Sequence, residues 1–175
     1  AKDESAREFF ELTCAAARLT AGKAELLVND RIDVFLAARA AGAAVTGIHI
    51  GQKDIPVSYA RKIIGEGIIG LSASTDEQLA HANDQAQYLD YLGVGAIRAT
   101  PTKKDHPTPL GLAGFARAAA LTTLPCVAIG SLTAADAPAL RTGAAAGMAV
   151  VRAICSAEDP HSASAELLSI WEAAK

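Results

Sequence analysis

Aromatic residues are scarce in this chain: Phe, Tyr and Trp make up 5% of its 175 residues. Alanine, valine, leucine and isoleucine must therefore build the core. Cysteine is scarcer, and Cys14, Cys126 and Cys155 stand far apart. There is no Cys-x-x-Cys pair and no Cys/His cluster at zinc spacing. Cys126 falls inside the apolar run Pro125 to Ile129 and reads as a small buried hydrophobe; the thiols read as reduced, in a cytoplasmic protein. No apolar run approaches the ~18 residues of a membrane helix. The charged start Ala1-Lys2-Asp3-Glu4-Ser5 is not a signal peptide, and it lacks an initiating methionine. Basic residues are not in excess. The net charge of -3 gives nucleic-acid binding no electrostatic support and requires any anion site to be local. No Gly-x-Gly-x-x-Gly follows the first apolar run, which argues against a dinucleotide-binding fold.

What the chain does contain is alternation. Short apolar runs at Glu25–Val28, Thr46–Ile50, Ile68–Leu71, Leu89–Val94, Cys126–Ile129 and Met148–Val151 read as buried parallel strands, because both faces are apolar. Helical patterns lie between and around them. One spans Ser5 to Leu19, and others begin near Asp33, at Thr75 and near Thr133; the last runs from Ser162 to Ala174. Alternating β and α elements predict an α/β protein with a parallel sheet and helices outside. We expect a (β/α)8 TIM barrel forming a single domain over residues 1–175. The six apolar runs fall short of the eight strands such a barrel needs. The expectation is a barrel lacking its first two strands, incomplete at its front, and part of a longer or fused chain.

In such a barrel, functional groups gather at the C-terminal ends of strands. Those ends carry Asn29 and Asp30, then Gly51 to Asp54, then Ser72 to Thr75, then a loop from Ala99 to Pro109 rich in hydroxyls, lysines and prolines. Gly130 and Ser131 follow the fifth run, and Arg152 follows the sixth. Adjacent strands lie about 4.8 Å apart, so Asp30 and Asp54 could share one hard cation, with water and a substrate phosphate completing its shell, as magnesium prefers. Each is equally well read as a helix cap. Gly130-Ser131 ahead of the Thr133 helix offers backbone N–H groups to a phosphate, and Arg152 could grip the same group. His49 reads as a core histidine, His81 and His161 as inert, and His106 as a loop group open to a role. The inventory contains no clear nucleophile. It suits a transfer in which a phosphorylated group departs.

These pieces together resemble the thiamine-phosphate synthase family. The resemblance is carried by Leu27-Val28-Asn29-Asp30-Arg31, Gly47 to Asp54, Ile69-Gly70-Leu71-Ser72, Gly93-Val94-Gly95, Thr100-Pro101-Thr102-Lys103-Lys104, and Ala128-Ile129-Gly130-Ser131-Leu132-Thr133. It implies a magnesium-dependent transferase that joins hydroxymethylpyrimidine diphosphate to thiazole phosphate, giving thiamine phosphate and diphosphate. It implies Asp30 and Asp54 as magnesium ligands, and Lys2, Asn29, Ser72 and Lys103 as pyrimidine-diphosphate contacts. Lys103 and Ser72 stand nearest the chemistry. Thr100, Pro101, Thr102, Gly130, Ser131, Val151 and Arg152 face the thiazole phosphate. The implied partners are those two small molecules, with no nucleic acid and no membrane; fusion to another thiamine-biosynthesis domain is an open alternative. Four positions depart from the family pattern. Ser131 stands at a usual glycine, and its N–H contact to phosphate is expected to survive with a negative φ. Arg152 stands at a usual serine and Ser74 at a usual histidine, and the segment between Asp30 and Asp54 is a few residues longer. The family's Gln and Arg ahead of Lys2 are not in the chain. Rival readings are a thiazole tautomerase-like isomerase or regulator, which tends to lose these motifs, and a non-catalytic phosphate-binding barrel.

Overall fold

The structure is a computed structural model that describes residues 4–99 and 108–174. The chain divides into two compact units. The first comprises the residues up to Leu71 together with Gln87–Asp90, and the second Ser72–Ala86 with the residues from Tyr91 onward.

In the first unit, helix α1 (Ala6–Thr20) starts on a reciprocal cap. The Ser5 N–H donates to Glu8 Oε2 at 3.0 Å, and the Glu8 N–H donates back to Ser5 Oγ at 3.3 Å, so two orphan donors are satisfied together. Thr13 and Ala17 are its buried residues, and α1 packs on α2 (Ile32–Ala40). Strands β1 (Leu27–Asn29), β2 (Gly47–Ile50) and β3 (Ile68–Ala73) pair in parallel. Ile48, Ile50 and Ile69 have no exposed surface, as expected of strands covered on both faces. Gly47 is required by close approach: a Cβ there would lie 2.1 Å from the Ile68 carbonyl oxygen. Helix α3 (Val57–Ile64) shows no pattern singled out in the sequence, yet buries Val57, Ala60 and Ile64. Arg61 on α3 ties the unit together, donating to Asp90 Oδ2 at 2.7 Å and to the carbonyls of Gly65, Gly67 and Tyr88.

In the second unit, helix α4 (Asp76–Asp84) starts on Thr75, whose hydroxyl accepts from the Gln78 N–H while Gln78 Oε1 accepts from Thr75 and Ser74. A 3-10 turn, Ala86–Tyr88, precedes strand β4 (Tyr91–Gly95). Helix α5 (Gly111–Ala120), strand β5 (Cys126–Ile129), helix α6 (Ala137–Thr142), strand β6 (Gly147–Ala149), and helices α7 (Arg152–Cys155) and α8 (Pro160–Ala173) follow. Strands β4, β5 and β6 pair in parallel. Each unit has one wholly buried aromatic ring, Phe35 in the first and Phe115 in the second; aliphatic side chains fill the rest.

Strand order follows the chain from β1 to β6, so the α/β parallel architecture agrees with the alternation of apolar and helical patterns. The sixth strand is shorter than its apolar run. Its pairing stops at Ile129 opposite Ala149, where Gly130 turns the neighbouring chain away. Val151, expected at the strand end, therefore lies outside it, 52% exposed, at the start of α7. No helix among the described residues is long and apolar enough to cross a membrane.

Candidate functional site

The first unit presents an acidic rim. Asn29 closes β1, opposite His49 in the ladder, and is exposed. The next residue, Asp30, donates its N–H to the His49 carbonyl at 2.8 Å and has φ 63°. Asp tolerates this left-handed conformation better than most residues. Asp54 closes a tight turn after β2. Its Oδ2 accepts the Gly51 N–H at 2.7 Å, while its own N–H donates to the Gly51 carbonyl at 3.3 Å. Neither aspartate is the helix cap expected of it, since the N-cap of α2 is Arg31 and that of α3 is Pro56, neither with a side-chain cap bond; Asp54 instead closes the turn, which occupies one oxygen. Oδ1 of Asp54 meets no partner among the described residues. Asp33 is structural: the Arg31 guanidinium holds it in a two-bond pair at 2.8 and 2.5 Å, which keeps its carboxyl below the ordinary carboxylate range.

The donor chemistry of Asp30 and Asp54 suits magnesium. Both offer hard oxygens, and magnesium is usually held by one or two carboxylates plus substrate phosphate and water. No group of three or more His, Cys, Asp or Glu able to hold a metal occurs among the described residues, so a metal caged wholly by those side chains is not what they fit.

The second unit contains a turn built for close approach. Ser72 lies on β3, partly buried, and two residues on Ser74 Oγ donates to the Gly95 carbonyl. Beyond β4 the main chain keeps bonding to the far end of β5: the Ile97 N–H reaches Ile129 O at 2.9 Å and the Arg98 N–H reaches Gly130 O at 3.2 Å. Gly130 has φ 115°, and a Cβ there would sit 2.8 Å from both the Ala96 Cα and the Ile97 nitrogen. Only glycine fits.

Ser131 differs from expectation. Its φ is 49°, not negative. The turn begun at Gly130 continues into the left-handed region, and the serine is kept there by its own side chain and carbonyl. Ser131 Oγ donates to Ala99 O at 2.8 Å, and Arg98 Nη1 donates to Ser131 O at 3.3 Å. Arg152, at the start of α7, donates from Nη2 to Ser131 Oγ at 3.3 Å. Arg31, Arg61, Arg98 and Arg117 each pair with a carboxylate; Arg152 has no such partner among the described residues. Gly130, Ser131 and Arg152 are therefore brought together, with a guanidinium that no carboxylate among the described residues pairs. Val151 adjoins Arg152 in the chain and exposes its side chain.

Two residues absent from the expected set hold this turn. Arg98 Nη1 and Nη2 donate to Asp136 Oδ2 and Oδ1 at 2.8 and 2.6 Å. Asp136, 5% exposed, also accepts from the Thr133 N–H at 2.8 Å and the Thr133 hydroxyl at 3.2 Å. The guanidinium, followed by the Thr133 contacts, depresses the Asp136 carboxyl to about 2 despite burial. The Thr133-to-Asp136 spacing marks the helix start in sequence, but nothing in sequence joins Asp136 to Arg98. Lys2, Thr100, Pro101, Thr102, Lys103 and His106 lie outside the described residues.

A family model described as thiamine monophosphate synthase matches residues 1–154. The chain is 46% identical to thiamine-phosphate synthase of Corynebacterium efficiens over 160 residues, covering 91% of this chain and 74% of that protein. It is 41% identical to thiamine-phosphate synthase of Vibrio parahaemolyticus over 173 residues, covering 98% and 81%. Among solved structures, it superposes on thiamine phosphate pyrophosphorylase from Pyrococcus furiosus with a TM-score of 0.85 and 30% identity, covering 99% of this chain and 81% of that one.

Proposed function

The chain belongs to the thiamine monophosphate synthase family, and on that premise we propose how its own groups carry out the thiamine-phosphate synthase reaction. The substrates are hydroxymethylpyrimidine diphosphate and hydroxyethylthiazole phosphate. The bond from the pyrimidine methylene to the diphosphate oxygen breaks, its electron pair leaves with diphosphate, and the thiazole nitrogen forms the new bond to that methylene. The aminopyrimidine ring supplies the electron push, so no protein nucleophile is needed. This agrees with a residue inventory that offers none.

The observation that carries the reading is the Gly130-Ser131 turn with Arg152 against Ser131 Oγ at 3.3 Å. A guanidinium without a carboxylate partner among the described residues, beside a backbone turn, suits a dianionic phosphate in a chain whose overall charge is negative. We assign the thiazole phosphate to this turn, with Val151 flanking it and Thr100, Pro101 and Thr102 completing the contact. Asn29, Ser72, Lys2 and Lys103 are assigned to the pyrimidine diphosphate. Asp30 and Asp54 are the proposed magnesium ligands; the ion, when bound, neutralises charge on the departing diphosphate. Lys103 is assigned to the same leaving group, where an ammonium would offset the charge that develops in the transition state. The three thiols have no disulfide partner, and we place the protein in the cytoplasm on that basis.

The test is diphosphate release. It should require both substrates together. Lys103→Ala should lower kcat by about a hundredfold or more, the usual effect of removing one transition-state donor, while changing the KM for thiazole phosphate little. Equal turnover in variant and parent would remove Lys103 from the reaction, and diphosphate release from the pyrimidine alone would remove the coupling itself.

A further inference from the structure

We infer that Arg98 and Asp136 are positioning residues for the thiazole phosphate, acting through Ser131 rather than touching substrate. The inference rests on the assignment of that phosphate to the Gly130-Ser131 turn.

Three observations support it. First, Ser131 is strained. A serine at φ 49° occupies a conformation that non-glycine residues enter at a cost and keep only when their surroundings hold them. Second, the holding groups converge from Arg98 and its neighbour. Arg98 Nη1 donates to the Ser131 carbonyl at 3.3 Å, and Ala99 supplies the carbonyl for Ser131 Oγ at 2.8 Å. The Arg98 main chain is itself bonded to Gly130 O at 3.2 Å. Third, the charge of Arg98 is already paired with a carboxylate. Both terminal nitrogens donate to Asp136, at 2.8 and 2.6 Å, in a two-bond fork that fixes the plane of the guanidinium and sets a carboxylate against its charge. Asp136 is fixed in turn by Thr133, at 2.8 and 3.2 Å. The charge of Arg98 is therefore cancelled locally, and attraction for phosphate falls to Arg152.

The consequence is a division of labour. Arg152 draws the anion; Arg98 and Asp136 set the angle at which Ser131 and Gly130 present their groups to it. Released from the fork, Ser131 can relax towards negative φ, turning its N–H and hydroxyl away from the Arg152 side of the turn. Small displacements of this kind are costly where a bound group must be held in register.

The experiment measures KM for each substrate separately in the parent, Arg98→Ala, Arg98→Lys, Asp136→Asn and Arg152→Ala. We expect Arg98→Ala and Asp136→Asn to raise the KM for thiazole phosphate by about tenfold and to leave that for pyrimidine diphosphate within about twofold. Arg98→Lys should restore it only in part, because an ammonium cannot form the fork. If Arg152→Ala raises the thiazole KM while Arg98→Ala and Asp136→Asn leave it unchanged, the inference is wrong and the assignment of the turn stands. If none of the four variants moves it, the assignment falls and the inference with it. An equal rise in both KM values means general loosening of the fold and also overturns the inference. Should Arg98→Ala not fold, Asp136→Asn, which keeps an acceptor for Thr133, gives the same readings.

Discussion

At the scale of single residues, Gly130 is the least replaceable position in the described site. Its φ of 115° and a Cβ position 2.8 Å from the Ala96 and Ile97 backbone combine conformational strain with a collision against main chain, which cannot swing aside. Gly130→Ala should destabilise the protein by about 2–4 kcal/mol, in the range of strained or overpacked sites. A urea unfolding midpoint equal to the parent's would show that the turn is softer than its geometry implies. The thiols make a second residue-level contrast. Burial pushes the Cys126 thiol up to about 11, so almost no thiolate exists at neutral pH, and the side chain is 2% exposed. Cys155 is exposed. A chromogenic disulfide reagent should modify Cys155 in the native protein and reach Cys126 only on unfolding. Early labelling of Cys126 would contradict the burial. Its place in the core was legible in the sequence, because an apolar run around a cysteine marks a buried strand whatever the fold. The conformation of Ser131 was not, since φ at a turn is set by the groups that seize its carbonyl and hydroxyl, and Ala99 and Arg98 lie more than thirty residues away.

Among elements, local caps were readable and long-range clamps were not. Thr75 with Gln78 starts α4 as its spacing suggests, because capping partners sit three residues apart in the same chain segment. The Thr133 pattern also starts a helical segment, first as a 3-10 turn, Ala134–Asp136, then as the short α6. The Asp at its third position does more than cap. It receives the Arg98 guanidinium, which lowers its carboxyl to about 2. A carboxyl depressed on folding adds stability above its ordinary value near 4, and that stability is lost as pH falls through about 2. The contribution is roughly 2 kcal/mol for such a shift. Asp136→Asn should therefore be less stable than the parent at pH 6 and converge with it near pH 2, as read by urea midpoints across that range. A constant gap between the two curves would mean the charge of Asp136 adds nothing. Helix α5 was not singled out because its residues are mostly alanine and glycine, which give weak periodic contrast; in α3, by contrast, Val57, Ala60 and Ile64 do recur at helical spacing, so that helix was legible in the sequence.

For the whole molecule, a net charge of -3 opposes the binding of two phosphorylated substrates, so local cations and a divalent ion must overcome it. Chelation should abolish thiamine phosphate formation and added magnesium restore it. Asp54→Asn should raise the magnesium concentration needed for half-maximal rate by about tenfold, as expected for loss of one of two charged ligands. Full activity after exhaustive chelation would remove the metal from the proposal. The order of the six strands, the carboxylates after β1 and β2, and the glycine-serine turn after β5 were determined by the sequence alone. They follow from the period of apolar residues and from the motifs at strand ends, both of which act over a few neighbouring positions. What only the tertiary structure decided is how the turn is held: Arg98 forked onto a buried Asp136, Ser131 kept left-handed, and Arg152 donating to the Ser131 hydroxyl oxygen beside it. Each depends on which distant segments the sheet brings side by side, and no local pattern encodes that adjacency.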